Sequence, residues 1–187
     1  METNKTAGSW QKDFEKATSR KTRHTILSKI NETFKTKEGL NTPFLWHILK
    51  GQPNFIGVIP QDYLCTLSIL SYPVTLIVNL DLSTQTGSHW IGLSITSTQI
   101  EIYDSLAMNS KFWIHRPKFL LSFLKKFSAS HKIFVTPQLQ SPISYTCGFY
   151  CIFFLLARRF FTFKTCVRTF SANFIRNDEI LLDLLSK

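Results

Sequence analysis

The run CGFYCIFFLLA, Cys147–Ala157, is apolar on every side and stops at the pair Arg158-Arg159. A helix that is hydrophobic all round has to be buried on all sides. Crossing a bilayer takes about 20 apolar residues, so this run is too short to do so and must be wrapped by its own chain. The other apolar region, residues 64–80, is broken by Pro73. With 187 residues, 44% of them hydrophobic and 17 of them Phe, the chain can build one aromatic-rich core around such a helix. No membrane partner is expected.

Upstream of that helix the hydrophobic period changes twice. Ile26, Ile30 and Phe34 recur at helical spacing, as do Trp10, Phe14 and Ala17, so residues 1–40 read as a charged helical N-terminal extension that stops near Gly39. Residues 41–187 read as the main domain. NTPFLWHILKG is a short helix with Pro43 in its first turn and Gly51 at its end. NFIGVIPQDYL reads as a loop and turn around Gly57 and Pro60. VTLIVNL then has the β-branched, apolar character of a strand buried on both faces. HWIGLSIT alternates, with His89, Ile91, Leu93 and Ile95 on one face and Trp90, Gly92 and Ser94 on the other. QIEIYDS follows as the third strand of a meander. HRPKFLLSFLKKFSAS is an amphipathic helix, HKIFVTP a fourth strand, and NDEILLDLLSK a last helix capped by Asn177. The class is α+β: a small, mostly antiparallel sheet of three or four strands flanked by helices.

The charge is uneven. The formal net charge is +10, and positions 105–177 contain no Asp or Glu. That interval carries eleven bases, among them Lys111, Arg116, Lys125, Lys126, Arg158 and Arg159. A solvated basic surface would account for this, and so would a polyanionic partner. Nucleic acid is the partner expected, bound without sequence preference, because no base-reading motif accompanies the charge. Four cysteines, at 65, 147, 151 and 166, form no dense disulfide pattern, and residues 1–21 are polar with no signal peptide. A reducing intracellular compartment is expected.

The segment QSPISYTCGFYC, residues 140–151, is richer than a buried helix needs. A cysteine nucleophile requires a depressed pKa, a base, a group that orients the base, and donors for the oxyanion. Cys147 lies where a loop turns into the apolar helix, so the helix dipole favours a thiolate there. Gly148 lets a substrate backbone come close. His89 opens one strand and Asp104 closes the next, and in a meander those ends can meet. Gln140 precedes Cys147 on the approach loop, where its amide can serve an oxyanion together with the Cys147 backbone N–H. Gln138 is the fallback for that role. Taken singly, each residue has a plainer explanation: cysteine is often a small buried hydrophobe, and Asp104 alone would be a turn residue. Cys151 is expected in the core. A zinc site at Cys147 and Cys151 lacks a second pair of ligands. His24, His47, His115 and His131 have no acidic or cysteine company.

The ordered set His89-Trp90, Asp104, Gln140-Ser141-Pro142 and Cys147-Gly148 resembles adenain, the adenovirus-type cysteine protease family. The wider clan includes the SUMO-deconjugating proteases. FLWHILKGQPNFIGVIPQDYL is similar to the family's N-terminal stretch, and the likeness covers roughly residues 43–160. It implies a papain-like fold whose central helix carries Cys147 as nucleophile. His89 would then be the base, Asp104 its orienter and Gln140 the oxyanion donor, with Trp90 and Gly148 against the substrate. It also implies an endopeptidase that matures viral precursor proteins, or those of a virus-derived element, at glycine-containing sites. Such an enzyme would act as a monomer in the host cell nucleus and in the virion, without a metal or small-molecule cofactor. DNA would stimulate it, through Lys125, Lys126, Arg158 and Arg159 here, and so would an activating peptide. SASHKIFVTPQ has no cysteine to join such a peptide, and the 40 N-terminal residues are extra. Asp104 stands where adenoviruses have Glu. Two rivals share the residues: a protease that removes SUMO or ubiquitin, and a catalytically silent, basic DNA-binding or packaging protein.

Overall fold

Five strands form one sheet in the order β1-β2-β3-β4-β5: β1 Phe55–Pro60, β2 Val74–Asn79, β3 Trp90–Ile95, β4 Gln99–Tyr103 and β5 Lys132–Val135. The computed structural model describes residues 18–107 and 117–186, with Lys12 and Lys16. The Trp10, Phe14 and Ala17 repeat lies outside the described residues, as do Lys111, His115, Arg116 and the side chain of Phe34.

The class is α+β, with a sheet that differs from expectation in two ways. FIGVIP, read as a loop, is the edge strand β1, paired with β2 through a register shift between Phe55 and Gly57. Gly57 and Pro60 read as punctuation, but an edge strand tolerates both. The sheet is also mixed rather than mostly antiparallel. β2-β3-β4 is the expected antiparallel meander, whereas β1 runs parallel to β2 and β5 parallel to β4. Parallel neighbours need a crossover. The β4–β5 crossover contains α3, Lys118–Phe127. The β1–β2 connection contains a 3-10 turn, Gln61–Cys65.

Both faces of the sheet are covered, which is why β3 is buried along its whole length instead of alternating. On one face lies α4, Cys147–Ala157, buried at all its positions. It packs with Ile77, Trp90 and Tyr103, and Tyr103 stacks on Phe154 with ring centroids 4.1 Å apart. On the other face, Leu76, Val78, Ile91, Leu93 and Ile95 meet Leu120, Phe123 and Leu124 of α3 and Leu64 of the 3-10 turn.

The remaining helices complete the α4 layer. The helix α1, Arg20–Thr36, is capped by Ser19 Oγ, which accepts the Thr22 N–H at 3.1 Å. It ends at Lys37, which takes the left-handed conformation (φ 55°), two residues before the expected Gly39. Ile26 and Ile30 join the core cluster of α4, and α1 packs against α6, Phe174–Ser186. The helix α2, Thr42–Leu49, has Asn41 as its cap and Pro43 in its first turn. The short α5, Phe163–Arg168, is capped by Thr162. Asn177 does not cap the last helix. It sits inside α6 with no exposed surface, and Asn173 Oδ1 accepts the Arg176 N–H at the true start. Among the described residues no helix is long and apolar enough to cross a membrane.

Candidate active site

The antiparallel pairing of β3 and β4 brings the residue before β3 next to the residue after β4. His89 Nε2 and Asp104 Oδ1 are 2.7 Å apart, and both side chains are buried. The carboxylate holds the N–H on Nε2 and leaves Nδ1 as the free ring nitrogen. Nδ1 is buried and meets no hydrogen-bond partner in good geometry. The Cys147 thiol lies close enough to the ring to act on its charge. Burial alone would lower the pKa of His89. The Asp104 hydrogen bond and the favourable electrostatics of the nearby Cys147 outweigh it, and the pKa is pushed up to about 10.

Asp104 is held in turn by the neighbouring parallel strand. Its N–H donates to Thr136 Oγ1 at 2.9 Å, and the Thr136 hydroxyl donates to the Asp104 carbonyl at 2.7 Å. Ser105 extends the frame toward Gln140. Its carbonyl accepts the N–H groups of Leu139 and Gln140, both at 2.8 Å, and its hydroxyl donates to Gln140 Oε1 at 2.7 Å. The amide of Gln140 therefore has a fixed orientation. Its Nε2 donates to the Ser144 carbonyl at 2.9 Å, so serving an oxyanion requires it to exchange that bond. Gln140 lines the cleft beside His89 and Cys147. Gln138 instead donates to the Gln140 carbonyl at 3.2 Å.

Cys147 opens α4 at the floor of a cleft of about 780 Å³. Tyr63, Leu82, Trp90 and Tyr145 are among its walls, and among the described residues His89 is its only Asp, Glu, Lys, Arg or His side chain. Trp90 is mostly buried, and its indole N–H donates to the Leu40 carbonyl at 2.8 Å. Leu40 also packs on Gly148, so the end of the segment read as an extension forms part of the cleft wall. Sequence reasoning missed Leu40, Ser105 and Thr136, because small side chains and backbone carbonyls carry no motif.

Cys151, one turn on, is in the core, and burial pushes its thiol well up. Among the described residues no group of three His, Cys, Asp or Glu side chains comes together that could hold a metal. The four basic residues expected at DNA do not share one face. Lys125 and Lys126 lie on α3, while Arg158 and Arg159 follow α4 on the opposite side of the sheet. Arg158 is also spent internally. Its guanidinium grips Glu101 at 2.6 and 3.0 Å and bonds the Phe161 carbonyl.

No family model matches the chain, and no curated protein matches it either. Among solved structures it is similar to "SUMO protease Ulp1 with the catalytic cysteine oxidized to a sulfinic acid", at 19% identity over 97% of each chain with a TM-score of 0.42. It is also similar to the ASFV pS273R protease, at 24% identity over 60% of this chain and 43% of that one, with a TM-score of 0.37. A de-sumoylating protease matches at 18% identity over 88% of this chain and 76% of that one, with a TM-score of 0.33. The chain thus spans less than half the length of the pS273R structure.

Proposed function

We propose that the chain is a cysteine endopeptidase that cuts precursor proteins of a virus or virus-derived element at glycine-containing sites, with turnover raised by DNA. One observation carries the reading: a buried imidazole held by Asp104 at Nε2, with Cys147 close to the ring and both lining one cleft. In this mechanism the Cys147 sulfur attacks the scissile carbonyl carbon and an S–C bond forms. The Cys147 N–H and the Gln140 amide receive the oxyanion. His89 gives its proton to the departing amine as the C–N bond breaks, then takes one from the water that hydrolyses the thioester. Asp104 keeps the ring in register throughout. Among the described residues the cleft carries no charged side chain beyond His89, which suits an uncharged segment around the scissile bond. The acid-free basic interval supports DNA as the stimulating partner, and the host cell nucleus and virion as places of action.

The test is turnover of glycine-containing peptides, and of SUMO and ubiquitin reporters, with and without DNA, by wild type and Cys147→Ala. Peptide cleavage that needs Cys147 and rises with DNA is the expected result. Cleavage of modifier reporters alone would make the protein a deconjugating enzyme. Tight DNA binding with no cleavage would make it a silent scaffold.

A further inference from the structure

The loop between Gln140 and Cys147 is tied down by a residue that the proposed chemistry does not use. Asp178, on α6, is almost wholly buried. Its Oδ2 accepts the Ser141 N–H at 3.3 Å, and its Oδ1 accepts the hydroxyls of Thr146 at 2.9 Å and Tyr150 at 3.1 Å. These donors flank the two reacting positions: Ser141 follows Gln140, and Thr146 precedes Cys147. The neighbouring Asn177 reinforces the grip by donating from Nδ2 to the Leu139 carbonyl at 2.9 Å. Ser144 closes the loop on itself through Thr146 Oγ1 at 2.9 Å and the Ser141 carbonyl at 3.1 Å.

Thr146 shows what the clamp does. It occupies the N-cap of α4, where a threonine hydroxyl ordinarily accepts a first-turn N–H. Here it makes no such bond and donates to Asp178 instead. The first-turn N–H groups of α4 are thereby left without their usual side-chain acceptor.

We propose that Asp178 is a positioning residue for this site: by holding Ser141 and Thr146 together it fixes the spacing of Gln140 from Cys147, the two residues whose N–H groups would receive the oxyanion. This rests on the protease reading above. Such a residue acts on the tetrahedral state and not on the encounter with substrate. A buried carboxylate serving three donors also resists replacement, because each donor loses its partner at once.

The experiment compares wild type, Asp178→Asn and Asp178→Ala in three assays, with thermal melts as a folding control. These are cleavage of a glycine-containing peptide, alkylation of Cys147 by iodoacetamide, and inhibition by a peptide ending in glycinal. Alkylation needs the sulfur but no oxyanion donors, whereas the aldehyde adduct needs both. The expected result for Asp178→Asn, which keeps the side-chain shape, is a kcat lower by roughly ten- to hundredfold. KM and alkylation rate stay within about twofold, and aldehyde affinity falls in step with kcat. An unchanged kcat in a folded variant overturns the proposal, and so does a KM effect alone or a matching fall in alkylation. A wild type that neither cleaves peptides nor binds the aldehyde overturns the protease reading itself, and that failure is visible before any variant is examined.

Discussion

Gly148 and His89 are the two residues whose surroundings give the sharpest expectations. A Cβ built on Gly148 would lie 2.9 Å from the Leu40 Cβ and 3.1 Å from its Cδ1. Gly148→Ala should therefore cost about 1–3 kcal/mol of stability through overpacking. Leu40→Gly, destabilising alone, removes the Cβ and Cδ1 that the new methyl would meet, so the double variant should lose less than the sum of the two single variants. Denaturant midpoints of the two single variants and the double variant check this, and strict additivity would refute the contact. For His89 the sign follows from its raised pKa. A ring that titrates at about 10 in the fold and near 6.5 when unfolded stabilises fully below about 6.5. That contribution is lost as pH rises through about 10. The stability advantage of wild type over His89→Gln should thus shrink steadily between pH 6 and pH 10, and parallel curves would contradict the pairing with Asp104 and Cys147. The pairing of His89 with Asp104 was legible because strand ends and residue order predict it. Leu40, Thr136 and Asp178 were not, since their roles arise from contacts 32 to 50 residues away along the chain.

At the scale of elements, the hydrophobic runs predicted the meander, α3 and the buried α4. The elements that escaped were those whose residues serve two purposes. FIGVIP carries a glycine and a proline yet pairs as an edge strand. Asn177 has the residue type of a cap, but its amide accepts the Ser171 N–H at 2.8 Å and donates to two carbonyls from inside the helix. Arg158 looked like a free cation because Glu101 lies far off in sequence, on β4. That pair joins the C-terminal end of α4 to the sheet, and the Glu101 side chain is only 6% exposed. Removing the cation leaves a buried carboxylate without its partner. Arg158→Ala should therefore destabilise by about 3 kcal/mol or more, whereas Arg159→Ala, at an exposed position, should stay within about 0.5 kcal/mol. Urea unfolding at constant ionic strength separates the two, and equal losses would mean that the ion pair adds nothing beyond a surface charge.

Across the described residues, the sheet separates the bases of α3 from those that follow α4. Lys125 and Lys126 belong to the α3 layer, and Lys126 Nζ already donates to the Cys65 carbonyl at 3.4 Å. On the α4 side, Arg159, Lys164 and Arg168 rim a groove of about 830 Å³ that also has Phe134, Phe160 and Phe163 in its walls. The carboxylate in that groove, Glu101, is neutralised by Arg158. One rigid duplex cannot lie along both sides of a sheet that is covered on each face, so DNA that raises turnover should draw on one set. The groove side offers three cations without a competing free carboxylate. Each phosphate contact contributes about 0.9 to the slope of log affinity against log salt. Replacing Arg159, Lys164 and Arg168 together by Gln should flatten that slope by roughly 2 to 3, while Lys125→Gln with Lys126→Gln should change it by less than about 1. Fluorescence anisotropy of a labelled duplex across a salt series measures both. A larger change from the α3 pair would move the contact to the other face. Equal changes from both sets would mean that the polyanion wraps the protein, which a flexible single strand can do and a short duplex cannot.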